Sequence, residues 1–171
     1  QVRAAAAAEG RRLTPHLLYK LPARFTDVYK QLSGHMCAKT KAFPEEPAIC
    51  LVCGAVLCAG TECCKGPGAT GLSAAGALTQ HVATCGAGCG MFFLVHKSNT
   101  VLLRGPYAAY SISPYVDEFG EEDPGLRRGR PLHLDAERWA QLQRMWAGHT
   151  IGTDAVLKRV MSDRVIRQAY Y

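Results

Sequence analysis

The apolar positions of the chain change their spacing along its length, and each change predicts an element. Leu17, Leu18, Leu21, Phe25, Val28, Tyr29 and Leu32 recur at helix-like intervals, broken by Pro22. That pattern predicts a short strand or turn over residues 17–21 and a helix over about 23–32 that ends near Gly34. The alanine-rich stretch 4–9 suits a helix entering from upstream by propensity alone. A short strand at 48–52 and a returning strand at 55–58 flank Cys53-Gly54, the turn of a hairpin. Residues 65–76 are rich in Gly, Ala and Ser and predict a mobile loop, after which 78–84 carries His81 toward Cys85. Two short apolar runs, 91–95 and 100–104, are separated by His96-Lys97-Ser98-Asn99, a hairpin signal. Residues 107–112 alternate small and aromatic side chains and predict a third strand with one buried and one wet face. A long polar loop over 113–131 precedes a helix with Asp135 as its N-cap. On that helix Trp139, Leu142 and Trp146 stand at i, i+3 and i+7, Met145 broadens the stripe, and Gly148 stops it. A tail helix over about 153–170 has Val156, Val160 and Ile166 on one side.

Composition narrows the class. A chain of 171 residues, 48% hydrophobic and 20% charged, can bury a real core as one ordinary domain or somewhat more. It holds no run of about eighteen apolar residues, so no membrane span is expected. The opening QVRAAAAAEGRR is no signal peptide, because its alanine run is short, weakly hydrophobic and followed by arginines. The chain starts without an initiator methionine and reads as a segment of something longer. A net charge of +6 raises nucleic-acid binding. The positive charge is dispersed, however. Its densest group, Arg127, Arg128 and Arg130, directly follows the acidic run Asp117, Glu118, Glu121, Glu122 and Asp123. Nucleic acid is therefore not expected as a partner.

The cysteines carry the chemistry. Cys50-Leu51-Val52-Cys53-Gly54 is a CxxCG turn that offers two thiolates to one ion, and His81-x3-Cys85 can supply the other two corners of a tetrahedron. Cys50, Cys53, His81 and Cys85 are thus the candidate ligands of one structural zinc ion. Cys58, Cys63 and Cys64 compete with them, since any could replace His81 or Cys85; each also reads as a small buried thiol. A second ion would have to recruit Cys37 and Cys89 from the flanks. His16, His35, His96, His133 and His149 read as ordinary polar or capping residues. Eight cysteines suggest a disulfide framework, but such frameworks belong to short, core-poor secreted domains. Adjacent cysteines such as Cys63 and Cys64 also make poor bridges. A catalytic zinc would need an open position and a nearby base; neither HExxH nor the deaminase pattern is present, nor any nucleophile elbow, phosphate loop or dinucleotide fingerprint. No catalytic residue is assigned. The fold class expected is α+β: a small zinc-stapled domain of short antiparallel hairpins flanked by helices. Its divisions are a helical segment 1–36, a zinc-binding β-rich part 37–134, and C-terminal helices 135–171.

Between residues 115 and 129 charge and glycine alternate. Asp117 or Asp123 can accept paired hydrogen bonds from Arg127 or Arg128, which would brace a loop that is costly to order. Docking on another domain is the alternative use of the same charges.

Several blocks then carry a resemblance: LPARF at 21–25, ICLVCGAVLC at 49–58, ECC at 62–64, HVATCGAGCGMFFLV at 81–95, SPYVDEFGEEDPGLRRGRPLHL at 113–134 and ERWAQLQRMW at 137–146. Together they resemble the extreme C-terminal region of the UBR-type N-recognins, the large RING-type ubiquitin ligases of the N-degron pathway. The resemblance covers roughly 17–150; the tail after His149 and the Gly/Ala-rich loop fall outside it. It implies a non-catalytic cap braced against upstream domains of the same ligase, with the UBR box and the RING both upstream of this segment. E2 and substrates with destabilising N-termini would then be partners through the parent chain, in the cytoplasm or nucleus. The alternative is a zinc-ribbon adaptor or structural module used outside ubiquitin transfer.

Overall fold

Met91-Phe92-Phe93-Leu94-Val95 is apolar at every position and Val101-Leu102-Leu103 fills the middle of the next run; such stretches suit a sheet covered on both faces, and that is the architecture. The computed structural model describes residues 17–60, 62–67 and 74–162. β1 (Pro47–Cys50), β2 (Val56–Cys58), β5 (Cys89–Leu94), β6 (Asn99–Arg104) and β7 (Tyr107–Ser111) form one antiparallel sheet in the order β2-β1-β5-β6-β7. Two two-stranded ribbons complete the β structure of the described residues: β3 (Gly66–Pro67) with β4 (Ala74–Ala75), and β8 (Tyr115–Val116) with β9 (His133–Leu134).

The pleat sorts the side chains onto the two faces. Ile49, Leu51, Met91, Phe93, Val95 and Leu102 pack with α1 (Phe25–Leu32), α3 (Ala136–Ala147) and α4 (Ala155–Ser162), through Phe25, Val28, Leu32, Leu142 and Leu157. Ala48, Cys50, Val52, Phe92, Leu94, Val101 and Leu103 face the other way, onto Leu78 and Val82 of α2 (Ala77–Cys85). Trp146 touches both clusters. The approach of α2 to the sheet is very close: a Cβ on Gly90 would stand 2.5 Å from Val82 Cγ1. Only glycine fits there.

The architecture is the α+β arrangement of antiparallel hairpins and helices that the sequence pattern predicts. α1 begins at Phe25, two residues later than the spacing suggests, because Pro22 and the bridge between Arg24 and His133 hold the preceding chain extended. Residues 17–21 form no strand within the sheet, although Tyr19 donates its N–H to the Leu51 carbonyl at 2.6 Å. Asp135 caps α3 by accepting the Arg138 N–H at 2.8 Å. The predicted 65–76 loop is anchored by the β3–β4 ribbon, while its centre, 68–73, lies outside the described residues, as do the alanine run and the tail beyond Ser162. No helix among the described residues is long and apolar enough to cross a membrane.

Candidate metal centres

The CxxCG motif folds as a knuckle at the end of β1. The Cys50 N–H donates to the Ala55 carbonyl and the Gly54 N–H to the Cys50 carbonyl, both at 2.8 Å. The N–H groups of Cys53 and Val52 are directed at the Cys50 sulfur. Gly54 has φ of +79°, and a Cβ there would meet the Tyr19 ring at 2.5 Å. Both conformation and space demand glycine.

Cys50 belongs to the pleat face that α2 covers, so the knuckle opens toward that helix. His81 and Cys85 sit one turn apart on α2 and meet it. The four ligand atoms all lie within 4.8 Å of one another. Cys50 Sγ is 3.9 Å from Cys85 Sγ, and Cys53 Sγ is 3.3 Å from His81 Nε2. Two thiolates held about 2.3 Å from a shared tetrahedral zinc stand roughly 3.8 Å apart, and a thiolate–imidazole pair stands about 3.5 Å apart. The four residues fit the ion. Cys50 is buried, Cys53 exposed, and His81 and Cys85 intermediate, so the site lies at the rim of the α2–sheet interface. The His81 ring packs edge-on against Phe92, with centroids 6.0 Å apart. Burial holds the His81 imidazole below its usual pKa, which keeps it neutral as a ligand must be. Burial pushes the Cys50 thiol up to about 12 and also raises Cys85. Three thiolates so close together need a cation, and a bound divalent ion reverses their protonation preference.

Cys58, Cys63 and Cys64 stand elsewhere. With Cys37 they form a second group whose sulfurs also lie within 4.8 Å of one another. Sequence spacing could not place Cys37 there, since it approaches from 21 residues before Cys58 and carries no CxxC partner. Cys89, on β5, joins neither group.

The charged loop is braced mainly through its own backbone. Asp117 and Asp123 are buried. Asp117 Oδ1 accepts the N–H groups of Phe119 and Glu121, both at 2.9 Å, and Oδ2 faces Arg128 and Arg130 at 3.5 and 3.6 Å. The Glu121 N–H contributes most to holding the Asp117 carboxyl below the ordinary range. Asp123 accepts the N–H groups of Arg127 and Arg128 at 2.9–3.1 Å. Arg127 thus enters through its main chain, whereas Arg128 also pairs with Glu121, and Arg130 lies over Phe119 at 4.7 Å. Asp123→Ala would remove the buried carboxylate that the Arg127 and Arg128 N–H groups share and should destabilise the protein by about 1–3 kcal/mol in a melting experiment. Arg130→Ala, at a half-exposed partner, should cost less than about 1 kcal/mol. Equal effects would contradict this division.

The fold and the ligand geometry carry a sequence signature that can be matched to known proteins. The family model described as Proteolysis_6 C-terminal matches residues 11–148. The chain is 35% identical to mouse E3 ubiquitin-protein ligase UBR3 over 159 residues, which is 93% of this chain and 8% of that protein. It is 38% identical to human E3 ubiquitin-protein ligase UBR2 over 138 residues, 78% of this chain and 8% of that protein. It is 36% identical to the E3 ubiquitin-protein ligase ubr1 of Schizosaccharomyces pombe over 135 residues, 78% of this chain and 7% of that protein. The chain therefore spans less than a tenth of the length of these relatives. The match runs through both cysteine groups, the α2–sheet interface and the braced loop, and on that basis the chain belongs to the Proteolysis_6 C-terminal family, whose matched relatives are E3 ubiquitin ligases of the UBR type.

Proposed function

We propose that this chain is the zinc-stapled, non-catalytic C-terminal scaffold of a large RING-type E3 ubiquitin ligase of the N-degron pathway. The observation that carries this reading is the family match over residues 11–148, combined with relatives more than ten times longer that bear ligase names. The ligand set agrees with a structural role. Cys50, Cys53, His81 and Cys85 complete a tetrahedron with no position left for water, so the bound ion would supply cross-linking and folding free energy. What the residues themselves do is hold α2 against the sheet, at the point where the knuckle and the helix meet.

In this reading the chain braces upstream domains of the same polypeptide, which contain the RING and the UBR box. E2 and substrates with destabilising N-termini are engaged through that parent chain, in the cytoplasm or nucleus. The test begins with the intact mass of the native polypeptide that contains this segment. A chain many times 18.5 kDa, with a RING pattern upstream, is expected. In that ligase, Cys85→Ser should lower ubiquitination of an N-degron reporter several-fold, while its isolated RING fragment still discharges ubiquitin from a loaded E2. A mature protein near 18.5 kDa would overturn the reading. So would full reporter ubiquitination by the Cys85→Ser ligase.

A further inference from the structure

We propose that Cys37, Cys58, Cys63 and Cys64 form a second, all-thiolate zinc site, so that this chain carries two structural ions. The argument rests on the local backbone and is independent of the ligase reading.

At the first centre the knuckle has two defining hydrogen bonds: N–H of Cys50 to the carbonyl of Ala55, five residues on, and N–H of Gly54 back to the carbonyl of Cys50. The loop at Cys37 repeats both. The Cys37 N–H donates to the Ala42 carbonyl and the Lys41 N–H to the Cys37 carbonyl, each at 2.9 Å. Lys41, in the position of Gly54, has φ of +58°, a left-handed conformation that a lysine seldom adopts. The Thr40 N–H points at Cys37 Sγ at 3.5 Å, as the Cys53 N–H points at Cys50. Cys37-Ala38-Lys39-Thr40-Lys41 is therefore a metal-binding knuckle with threonine where the second cysteine would stand. A loop that holds a left-handed lysine only to aim N–H groups at a sulfur is built for a thiolate.

The missing ligand is supplied by adjacency. Cys63 and Cys64 lie on a 3-10 turn over Glu62–Cys64, and their sulfurs are 3.5 Å apart. Cys37 Sγ is 3.4 Å from Cys64 Sγ and 3.9 Å from Cys63 Sγ. Cys58, buried at the end of β2, completes the four. These separations bracket the roughly 3.8 Å edge of a zinc tetrathiolate and are far from the disulfide length of about 2.05 Å. Zinc is the metal that four thiolates in a tetrahedron select, with iron as the competitor of the same geometry. Four thiolates around a divalent ion leave net negative charge, and Lys39, Lys41 and Lys65 are chain neighbours of the ligands. Lys39 reaches across to donate to the Lys65 carbonyl at 3.0 Å, closing the two ligand loops on each other. The site lies beside a groove of about 470 Å³ lined by Cys37, Thr40, Phe43, Pro44, Cys58 and Cys63, which gives an ion a way in.

The two sites share a support. Gln80, the neighbour of His81 on α2, donates to the carbonyls of Cys64 and Ala75 at 3.0 and 2.8 Å. One helix therefore ties the second ligand turn to the first centre.

Zinc counted by elemental analysis on the purified 171-residue chain should give two ions per chain, falling to one in Cys37→Ser. X-ray absorption at the zinc edge of the unmutated chain should show a mean sulfur number between three and four, the average of a four-sulfur and a three-sulfur, one-nitrogen site. One zinc per chain with three sulfurs and one nitrogen would overturn the second site without any variant having to fold. One zinc with four sulfurs would uphold it and remove the ion from Cys50, Cys53, His81 and Cys85 instead, so the two assignments fail separately.

Discussion

If the knuckle holds zinc as proposed, Cys53→Ser should release the ion and detach α2 from the sheet. Cys53 is the exposed member of the four candidate ligands, so serine costs almost nothing in packing, and the effect expected of it passes through the metal. Structural zinc contributes an apparent free energy of about 10–16 kcal/mol at neutral pH, against about 5–15 kcal/mol for the net stability of a domain. Even a fraction of the first figure exceeds what α2 can recover by itself. Its burial rests on Leu78 and Val82, and its N-terminal position is Gly76, which has no side chain to cap it. A nine-residue helix of that kind is not stable without tertiary support. The expected result is loss of one zinc and loss of hydrogen-exchange protection over Ala77–Cys85, with the β5–β6 hairpin protected for longer. Cys89→Ser is the control. Cys89 stands on β5, outside both ligand groups, and its substitution should leave zinc content and melting temperature nearly unchanged. Full zinc and wild-type melting in Cys53→Ser would remove that residue from the ligand set.

That contrast also shows what could be read from the residues. The CxxCG turn and the His81–Cys85 spacing are local signals, each complete within one turn of chain, and hairpins and helix caps are likewise local. The β5–β6 hairpin and the Asp135 cap were therefore legible in the sequence. Cys37 was not. Its knuckle uses threonine and lysine where a cysteine–glycine pair would announce it, and its partners come from β2 and a 3-10 turn more than twenty residues away. The spacing rules for metal ligands describe pairs close in sequence and are silent on such a site. The braced loop was legible in part. Charges of opposite sign predicted that it is tied down, but side-chain inventories do not show that Asp117 and Asp123 would spend their oxygens on backbone N–H groups. Pairing of β1 with β5 depends on contacts across some forty residues, including the Gly/Ala-rich stretch, and no local pattern encodes it.

Phe93→Ala and Phe92→Ala should separate the two faces of the sheet, although the residues are adjacent. Both are fully buried on β5 and point to opposite sides of the pleat. Phe93 meets Phe25 of α1 at 6.0 Å and Tyr115 of β8 at 5.3 Å, and those two rings meet each other at 5.3 Å. The trio fastens the N-terminal helix and the base of the charged loop to the sheet, and the Tyr115 hydroxyl adds a 2.7 Å hydrogen bond to the Pro22 carbonyl. Truncating Phe93 leaves a cavity that stiff strands and neighbouring rings cannot close, at a cost of about 3–5 kcal/mol. For a chain of this size that is a fall in melting temperature of about 6–20 °C. Zinc content should not change, because the knuckle lies across the sheet. Phe92→Ala should cost a similar amount, but it also removes the wall behind the His81 ring, so zinc should be lost to a competing chelator faster than from the parent protein. Period-two alternation makes the difference: one residue's step along the strand moves the damage from the helical face to the metal face. Identical chelator sensitivity in the two variants would mean that the ligands are held by the knuckle and α2 alone, with no help from the strand between them.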